Sequence, residues 1–520
     1  MTRTMTDQHG TTTDQHGTTT DQHGTTTDQH GTTTVGQLPA PTPTDSRVPS
    51  VLTRLAWLLW VASLGVVVAR FVTDTSWGVT GVVVIDGMTA VMWAAVTFFS
   101  GIVHSYSRRY LAGSRHIDRF FKRVFAFTLA VMVLVAADSF LLFLAAWIAM
   151  GRVMANLIGH VEGWPQAQAA AGRARRYFLA GGAAVAVALG ALWWTTGAAA
   201  ISAVPAAVPT APPAAVLVAA VALLLAAVIQ SALVPFHTWL LSSMTAPTPA
   251  SALMHAGFVN AGGVLLIRFA PVVAADAGVM LTAVVVGAAS AMLGKLLKTV
   301  QTDVKGELGC STVGQMSFMI VQAGLGYFAA AVTHLILHGF YKAYQFLSAG
   351  DDVDHESPTA TAESGATTPF GVVVTAGTAL AGGVTFAALT GKGTALDTGL
   401  LLTLLVTLTT LHAAREVVAD SALPPGVRYG AVPVVAIPAI AVYAGVYNAV
   451  SGLLAEVPGV GEPVALTPVH GVVAVAFVVA YVAVETRVYT RSRRLYVTLL
   501  NATQPAPETQ LTTTEEYNEY

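Results

Sequence analysis

The sequence predicts an all-α polytopic membrane protein that crosses the bilayer about fourteen times. Its 520 residues are 54% hydrophobic and only 10% charged, with a mean hydropathy of +0.63. A soluble globular protein carries about a quarter charged residues, so this composition excludes that class. The net charge of −2 and the lack of a recognisable basic patch give no reason to expect a nucleic-acid partner. Membrane lipids are the expected surroundings.

Apolar stretches follow one another from Val51 onward, and each has the length of about 18–25 residues that a spanning helix needs. Their centres lie at about residues 61, 93, 130, 148, 188, 224, 261, 285, 319, 340, 380, 408, 440 and 478. Residues 51–495 are therefore predicted to form one transmembrane domain. The first stretch follows a polar segment, so we interpret it as a span and not as a cleavable signal peptide.

The first 50 residues form a low-complexity segment. The sequence "TDQHGTT" recurs in it with a period of seven, which places histidines at His9, His16, His23 and His30. The repeat has no apolar face, so it cannot form a heptad coiled coil. We predict a disordered tail, with adventitious metal binding by the histidines as the alternative.

Two proline-rich segments interrupt the apolar pattern, one in each half of the predicted domain. They are "VPFHTWLLSSMTAPTPASAL", with Pro235, Pro247 and Pro249, and "ALPPGVRYGAVPVVAIPAI", with Pro424, Pro425, Pro433 and Pro438. Proline breaks a continuous helix, and interrupted helices in corresponding halves indicate the pathway of an inverted-repeat transporter. Ordinary loops and tolerated membrane prolines are the alternative interpretation of either segment.

Arginine and lysine are concentrated in alternate connections between the predicted spans. The basic residues are Arg108, Arg109, Arg115, Arg119, Lys122, Arg123, Arg173, Arg175, Arg176, Lys295, Lys298, Lys305, Arg487, Arg491, Arg493 and Arg494. All of them fall on one side of the membrane if the number of spans is even. The positive-inside rule then predicts a multi-pass protein of the cell membrane with both termini, including the tail at 496–520, in the cytoplasm.

The stretch "THLILHGFYKAYQFL" places three titratable side chains on one predicted helix. His334, His338 and Lys342 are spaced four apart, so they share one helix face. A lysine within the bilayer is costly, which makes intramembrane ionisable groups functional candidates. We predict that the group transfers protons or another cation, together with His255 on another span. A buried polar cluster that only fixes helix packing is the alternative.

Other ionisable residues near the spans have simpler interpretations. Asp138 is expected to cap a helix, and Asp86 and Glu485 are expected at the membrane interface. Cys310 is the single cysteine, so the chain can form neither an internal disulfide framework nor a cysteine-based zinc site. We predict no metal or cofactor in this chain and no enzymatic activity of its own.

The sequence resembles the proton-translocating antiporter-like family, which includes large membrane subunits of respiratory complex I and of Mrp antiporters. The resemblance rests on "QSALVPFHTWLLSSMTAPTPASALMHAGFVNAGGVLLIRFAP", "KTVQTDVKGELGCSTVGQMSFMI" and "THLILHGFYKAYQFLSAG". It implies two inverted five-helix repeats, each with a broken helix, around a central chain of ionisable groups. In that comparison Lys342 matches the family's central lysine, and His334, His338 and His255 match neighbouring histidines. Lys305, with Asp303 beside it, matches a lysine near the cytoplasmic side.

The sequence departs from the family at positions of the N-terminal half. The family's glutamate after a conserved tryptophan is Ile148 here, and Arg152 follows one turn later. The lysine of the first broken helix is Gln230. The family's C-terminal lysine has two candidate substitutes, Lys392 and His412. The predicted path is therefore Lys342, His338, His334, His255, Lys305, Asp303, Arg152, Gln230 and His412.

These departures resemble one branch best, the membrane subunits of Dab-type inorganic carbon pumps. The resemblance implies a partner subunit, DabA-like, that binds zinc and resembles a β-carbonic anhydrase. Cation flow through this chain would then drive hydration of CO2 to bicarbonate in that partner. The alternatives are a proton-translocating subunit of a complex I, Mrp or hydrogenase assembly, and a membrane anchor that conducts no ions.

Overall fold

A computed structural model describes residues 46–350, 368–419, 423–457, 460, 464–505 and 509, together with the short strands at Thr19–Thr20 and Thr26–Thr27. The strands are β1 (Thr19–Thr20), β2 (Thr26–Thr27), β3 (Trp77–Val79) and β4 (Val83–Ile85), and β1 pairs with β2 and β3 with β4, both antiparallel. The predicted disorder of the N-terminal repeats, including their four histidines, otherwise lies outside the described residues, as does most of the C-terminal tail.

The described chain is almost entirely helical. The long helices are α1 (Val48–Thr73), α2 (Gly87–Tyr110), α3 (Ile117–Ala136), α4 (Phe140–Ile158), α5 (Pro165–Thr196), α7 (Pro213–Gln230), α12 (Ala277–Lys298), α13 (Val304–Gly324), α14 (Phe328–Ser348), α15 (Pro369–Thr390), α16 (Gly399–Ala419), α17 (Val432–Leu453) and α18 (Pro468–Glu485). The shorter ones are α6 (Val204–Ala207), α8 (Thr238–Ser242), α9 (Thr248–Ala256), α10 (Ala261–Arg268), α11 (Ala270–Val273) and α19 (Arg493–Thr503). Turns of 3-10 helix cover Ile201–Ala203, Val208–Thr210, Ser243–Thr245, Phe258–Asn260 and Val488–Arg491.

The predicted all-α membrane architecture is confirmed. Among the described residues, 11 helical segments are long and apolar enough to cross a membrane, with Thr248–Arg268 counted as one. Every predicted span centre falls on a helix, but α3, α13 and α14 lie outside that set. These three carry charged or polar side chains that lower their hydropathy. The count of fourteen spans is therefore not confirmed.

The interruption predicted in the N-terminal half is present. Helix α7 ends at Gln230, and the chain turns before α8 begins at Thr238. Two hydrogen bonds hold the break. The Ser231 hydroxyl donates to the backbone oxygen of Val259 at 2.9 Å, and the Trp239 ring N–H donates to that of Ile229 at 3.0 Å. The break exposes backbone groups that these side chains satisfy inside the bundle.

The interruption predicted in the C-terminal half is absent from the described residues. Pro424 and Pro425 lie in the connection between α16 and α17, before a π-helical turn at Val427–Ala431. Pro433 occupies the first turn of α17, where its missing N–H costs nothing. Pro438 lies inside α17, which continues through it to Leu453. A single proline removes only one helix hydrogen bond, and membrane helices tolerate that loss.

Several predicted basic connections meet at one end of the helical bundle. Tyr110, which ends α2, donates to Thr248 at the start of α9 at 3.3 Å. Arg173 on α5 donates to Thr238 at the start of α8 at 3.2 Å. The C-terminal helix α19 buries Leu499 against the connection between α12 and α13. These contacts fit the alternation of basic loops that predicts a common side.

The opposite end of the bundle is held by polar contacts between distant segments. Asp86 caps α2 by accepting from the backbone N–H of Thr89 at 2.8 Å, and it also pairs with Arg268 at the end of α10. Asp138 does not cap α4, as the sequence had suggested. It accepts from the backbone N–H groups of Gly81 and Ser202, at 2.6 and 2.7 Å, and so ties the β-hairpin to the loop after α5.

We expect the substitution Asp86→Asn to destabilise the protein. The change leaves the Arg268 guanidinium buried without its carboxylate, and loss of one partner of a buried pair costs about 3 kcal/mol in the free energy of unfolding. The measurement is thermal unfolding of the purified protein in detergent.

One control variant and one pH dependence accompany the Asp86 measurement. Asp74→Asn removes a carboxylate that is 93% exposed and should leave the melting temperature unchanged. Burial alone would raise the pKa of Asp86, but Arg268 holds it below the usual value. The stabilisation is therefore present at neutral pH and is lost as the pH falls below about 4. Equal melting temperatures of wild type and Asp86→Asn at pH 7 would contradict the role of the pair.

Candidate cation path

The centre of the candidate path is the side chain of Lys342 on α14, which is 0% exposed. Its Nζ atom donates to the backbone oxygen of Leu308 on α13 at 3.3 Å and to Oε1 of Gln345 at 3.1 Å. Neither acceptor carries a negative charge. A buried ammonium group with neutral acceptors alone is costly to keep charged, so this amine is suited to exchanging its proton with neighbouring groups.

Gly339 sets how closely α14 approaches its neighbours. A Cβ atom at this position would lie 2.6 Å from the ring of Phe99 on α2 and 3.0 Å from the backbone oxygen of Ala256 on α9. Glycine therefore allows α14 to pack against both helices at once. This packing brings His255, next to Ala256, within electrostatic range of Lys342.

Three histidines accompany Lys342. Nδ1 of His255 lies 2.9 Å from the Thr312 hydroxyl, and its ring stacks on Phe346 with centroids 4.3 Å apart. His334 and His338 stack one turn apart on α14, with centroids 5.8 Å apart. Nε2 of His255 and both ring nitrogens of His338 have no hydrogen-bond partner in the described part of the chain. Buried polar atoms of this kind are usually satisfied by water, which can relay protons between them.

Asp303 and Lys305 lie together at the start of α13 but make separate contacts. Asp303 caps the helix by accepting from the backbone N–H of Gly306 at 2.7 Å. Lys305 donates instead to the backbone oxygens of Met244 and Ala246, at 3.5 and 3.2 Å. Its charge lies near His255. The structure thus brings Lys305 to the Lys342 group and gives Asp303 the role of a helix cap.

In the N-terminal half, the positions at which the family carries a glutamate and a lysine hold Ile148 and Gln230, which are not ionisable. Gln230 is buried and donates to the backbone oxygen of Phe258 at 3.1 Å, which fastens the end of α7 to the 3-10 turn Phe258–Asn260. Ile148 and Arg152 are both exposed on the outer face of α4. The structure therefore does not bring Arg152 together with Lys342.

A second cluster of ionisable groups surrounds His412 on α16. Nδ1 of His412 lies 2.9 Å from the Glu485 carboxylate on α18, while its Nε2 lies 2.7 Å from Nζ of Lys295 on α12 and 3.0 Å from the Glu416 carboxylate. Arg415 also pairs with Glu485, at 3.0 Å. When Nε2 of His412 carries a proton, it can donate to the Glu416 carboxylate. When that proton is lost, Nε2 can accept a hydrogen bond from Lys295. The two protonation states of His412 therefore favour different partners.

An ion pair lies between the two clusters. Lys298 on α12 contacts Glu307 on α13 at 3.1 Å. Both charges lie within electrostatic range of Lys342, and both also act on Lys295. Glu307 precedes Leu308, whose backbone oxygen accepts from Lys342. The Glu307 side chain is partly exposed, so this pair connects a buried amine to the surface of the bundle.

Sequence reasoning identified His412 but missed its partners. Lys295 and Glu485 were assigned to a basic connection and to the membrane interface, yet Glu485 is only 14% exposed and faces His412. The available signal was a carboxylate at the end of one apolar span and a lysine near the end of another, which lipid does not solvate. Lys392, the other candidate, lies instead over the Tyr327 ring at the opposite end of α14, with Nζ 5.2 Å from the ring centroid.

Within the described residues, no group of three or more His, Cys, Asp or Glu side chains has the arrangement of a metal site. What the path residues share is the ability to hold or pass a charge: one buried amine, three imidazoles and an ion-paired cluster that spans α12, α16 and α18. The arrangement can move protons through side chains and water without covalent chemistry.

Two family profiles match the chain. One is described as "NADH:quinone oxidoreductase/Mrp antiporter, TM" and covers residues 136–365; the other is "NADH-Ubiquinone oxidoreductase (complex I), chain 5 N-terminus" and covers residues 74–121. The fold resembles the solved Mrp complex from Dietzia sp., with a TM-score of 0.52 and 22% identity over 89% of this chain and 51% of that chain. That likeness supports the fold alone.

The chain is similar to proteins named as inorganic carbon transporter subunits and as complex I subunits. The "Probable inorganic carbon transporter subunit DabB1" of Halothiobacillus neapolitanus is 38% identical over 54% of this chain and 51% of its own length. The DabB subunit of Bacillus subtilis is 46% identical over 26% of this chain and 27% of its own. The "NADH-ubiquinone oxidoreductase chain 5" of Cryptococcus neoformans is 32% identical over 51% of this chain and 40% of its own.

The chain thus spans about half the length, or less, of these relatives. The matched region contains the broken helix, His255, Lys305 and the α14 stripe. Over residues 74–121 and 136–365, the chain is similar to antiporter-like membrane subunits of complex I and Mrp antiporters, and its relatives include proteins named as inorganic carbon transporter subunits.

Proposed function

We propose that the chain conducts a cation, H+ or Na+, as the membrane subunit of an inorganic carbon (CO2/bicarbonate) pump. The observation that carries this proposal is the fully buried Lys342 amine, which donates to the backbone oxygen of Leu308 and to the amide of Gln345 and has no carboxylate partner among the described residues. A structural lysine would normally be paired, because burial of an unpaired charge is destabilising. An unpaired amine that can lose and regain a proton suits a relay.

The proposed path runs through the C-terminal half of the bundle. His334, His338 and His255 exchange protons with Lys342 through water. The Lys298–Glu307 pair then couples Lys342 to the cluster of Lys295, His412 and Glu485. Glu416, at the rim of that cluster, is largely exposed and opens the path to solvent.

The relatives named as inorganic carbon transporter subunits favour a carbon substrate. The chemistry of hydration is assigned to a partner, a DabA-like, zinc-binding subunit that resembles a carbonic anhydrase. A zinc ion held in that partner would supply the chemistry of CO2 hydration. Cation flow through this chain would make that reaction run in one direction. The chain itself is proposed to be a non-enzymatic subunit of the cell membrane, with both termini in the cytoplasm.

The second candidate is a proton-translocating subunit of a complex I, Mrp or membrane hydrogenase assembly. The complex I chain 5 relatives favour it. Ile148 and Gln230 oppose it, because they replace the acid and the base that such subunits carry in the N-terminal half. Purification of the native complex separates the two: a zinc-containing partner supports the first candidate, and respiratory subunits support the second.

We expect Lys342→Ala to abolish inorganic carbon uptake. The substitution removes the only buried amine of the path, and loss of a group that transfers protons typically lowers the rate about hundredfold or more. The measurement is uptake of labelled inorganic carbon by cells that express the native complex, normalised to the amount of folded protein. Collapse of the proton gradient and of the sodium gradient, each separately, identifies the driving ion.

The matched control for this experiment is Lys392→Ala, which removes an amine outside the proposed path and should leave uptake unchanged. If Lys342→Ala supports uptake at the wild-type rate, the chain does not conduct through Lys342. The membrane-anchor hypothesis would then be favoured.

We expect Gln230→Leu to lower stability without slowing uptake per folded molecule. The substitution leaves the buried backbone oxygen of Phe258 without its donor, which costs about 1–3 kcal/mol in the free energy of unfolding. An amide takes up no proton near neutral pH, so cation flow should not depend on it. Thermal unfolding and the same uptake assay measure the two effects. Loss of uptake at unchanged stability would place Gln230 on the path, as the sequence predicted.

A further inference from the structure

A basic cavity lies where the beginning of α3 packs beside α4. Its volume is about 440 Å³, and its lining includes Arg115, Arg119, Lys122 and Arg123. Asp118 is the acidic residue of the lining, and it accepts from the Ser46 hydroxyl at 2.7 Å. The cavity is therefore rich in cationic donors.

Part of this positive charge is neutralised within the protein. Glu162, in the loop after α4, pairs with Arg119 and lies 3.7 Å from Arg123. The hydrogen bond from Arg119 holds the pKa of Glu162 below its usual value, so the carboxylate is charged at neutral pH. Burial, aided by the nearby Arg123 charge, lowers the pKa of His160 to about 4, so that ring adds no charge.

Two cations of the cavity remain available. Arg115 and Lys122 are exposed and form no ion pair with an acidic side chain of the described chain. Four cationic side chains thus face two carboxylates, which leaves a surplus of positive charge. An anion with several oxygen acceptors, such as a phosphate, matches these donors.

The floor of the cavity is apolar. It is formed by Ala126 and Val153, one from each helix. On α3 the exposed side chains continue from Ala126 to Leu129 and Val133, which share one helix face. The ligand that fits is therefore charged at one end and apolar along its length.

Arg152 adds an independent observation. It is exposed on the outer face of α4, next to Val153, and has no hydrogen bond or ion pair among the described residues. A membrane-facing arginine without a protein partner requires water or an anionic group nearby. A cation without a partner among the described residues thus directly precedes Val153, which lines the cavity.

We infer that the groove between α3 and α4 binds an anionic phospholipid, with its phosphate at Arg115 and Lys122 and an acyl chain along Ala126, Leu129 and Val133. Basic pockets between membrane helices favour anionic head groups, since each nearby Lys or Arg adds attraction. This inference does not depend on the proposed cation path.

Native mass spectrometry of the purified full-length protein tests the inference. The protein in detergent is titrated with phosphatidylglycerol and, separately, with zwitterionic phosphatidylcholine. Phosphatidylglycerol should bind the wild type preferentially. The double variant Arg115→Gln/Lys122→Gln should weaken that binding by about tenfold or more, because two charges are lost. The matched control Arg175→Gln/Arg176→Gln removes two exposed charges from α5 and should bind like the wild type.

Two further arms separate a lipid from other occupants. Ala126→Phe fills the apolar floor and should weaken lipid binding with every cation retained; its melting temperature checks folding. Inorganic phosphate at equal concentration should not displace the lipid. The inference is wrong if phosphate alone competes fully, or if both double variants lose binding equally. It is also wrong if Arg115→Gln/Lys122→Gln keeps the lipid but loses co-purification of the partner subunit, since the cluster would then be a protein contact.

Discussion

The unpaired amine of Lys342 is the constraint on which the arrangement of the core depends. A lysine that is buried in an apolar bundle needs hydrogen-bond acceptors, yet a carboxylate at contact distance would fix its charge. The protein supplies the backbone oxygen of Leu308 and the amide of Gln345. Gly339 brings α14 close enough to α2 and α9 for His255 to join it. Packing at one small residue thus determines the electrostatics of the whole group.

The two ends of the bundle use charge in different ways. At one end, Asp86 and Arg268 form a buried pair that joins α2 to α10, and Asp138 satisfies loop N–H groups. Those carboxylates accept hydrogen bonds from backbone N–H groups or pair with an arginine within the protein. At the other end, His412 lies between Lys295 and two carboxylates and can change partners with its protonation state.

The fold and the α14 stripe could be predicted because both depend on local sequence. The length of apolar runs indicates spans, and the spacing of four places His334, His338 and Lys342 on one face. The prediction that proline interrupts a helix was correct in the N-terminal half, where side chains such as Ser231 hold the break. It was wrong at Pro438, where a continuous helix tolerates one missing hydrogen bond. Proline content alone does not reveal which case applies.

The cluster around His412 could not be predicted in the same way. Its members come from α12, α16 and α18 and are separated by 117 and 73 residues along the chain. Sequence spacing carries no information about such contacts, because they depend on how the helices pack. Hydropathy does not identify these contacts either, since Glu485 at the end of a span is equally compatible with an interfacial position.

The position of Glu485 on α18 has a consequence for biosynthesis. Helices enter the membrane in chain order, so Lys295, His412 and Glu416 are in place before Glu485 is made. A nascent chain that has inserted α1 to α16 therefore holds an incomplete His412 cluster. Only insertion of α18, followed by packing of α19 against the α12–α13 connection, completes it. Partly synthesised chains would then lack the means to dissipate the ion gradient of the cell that makes them.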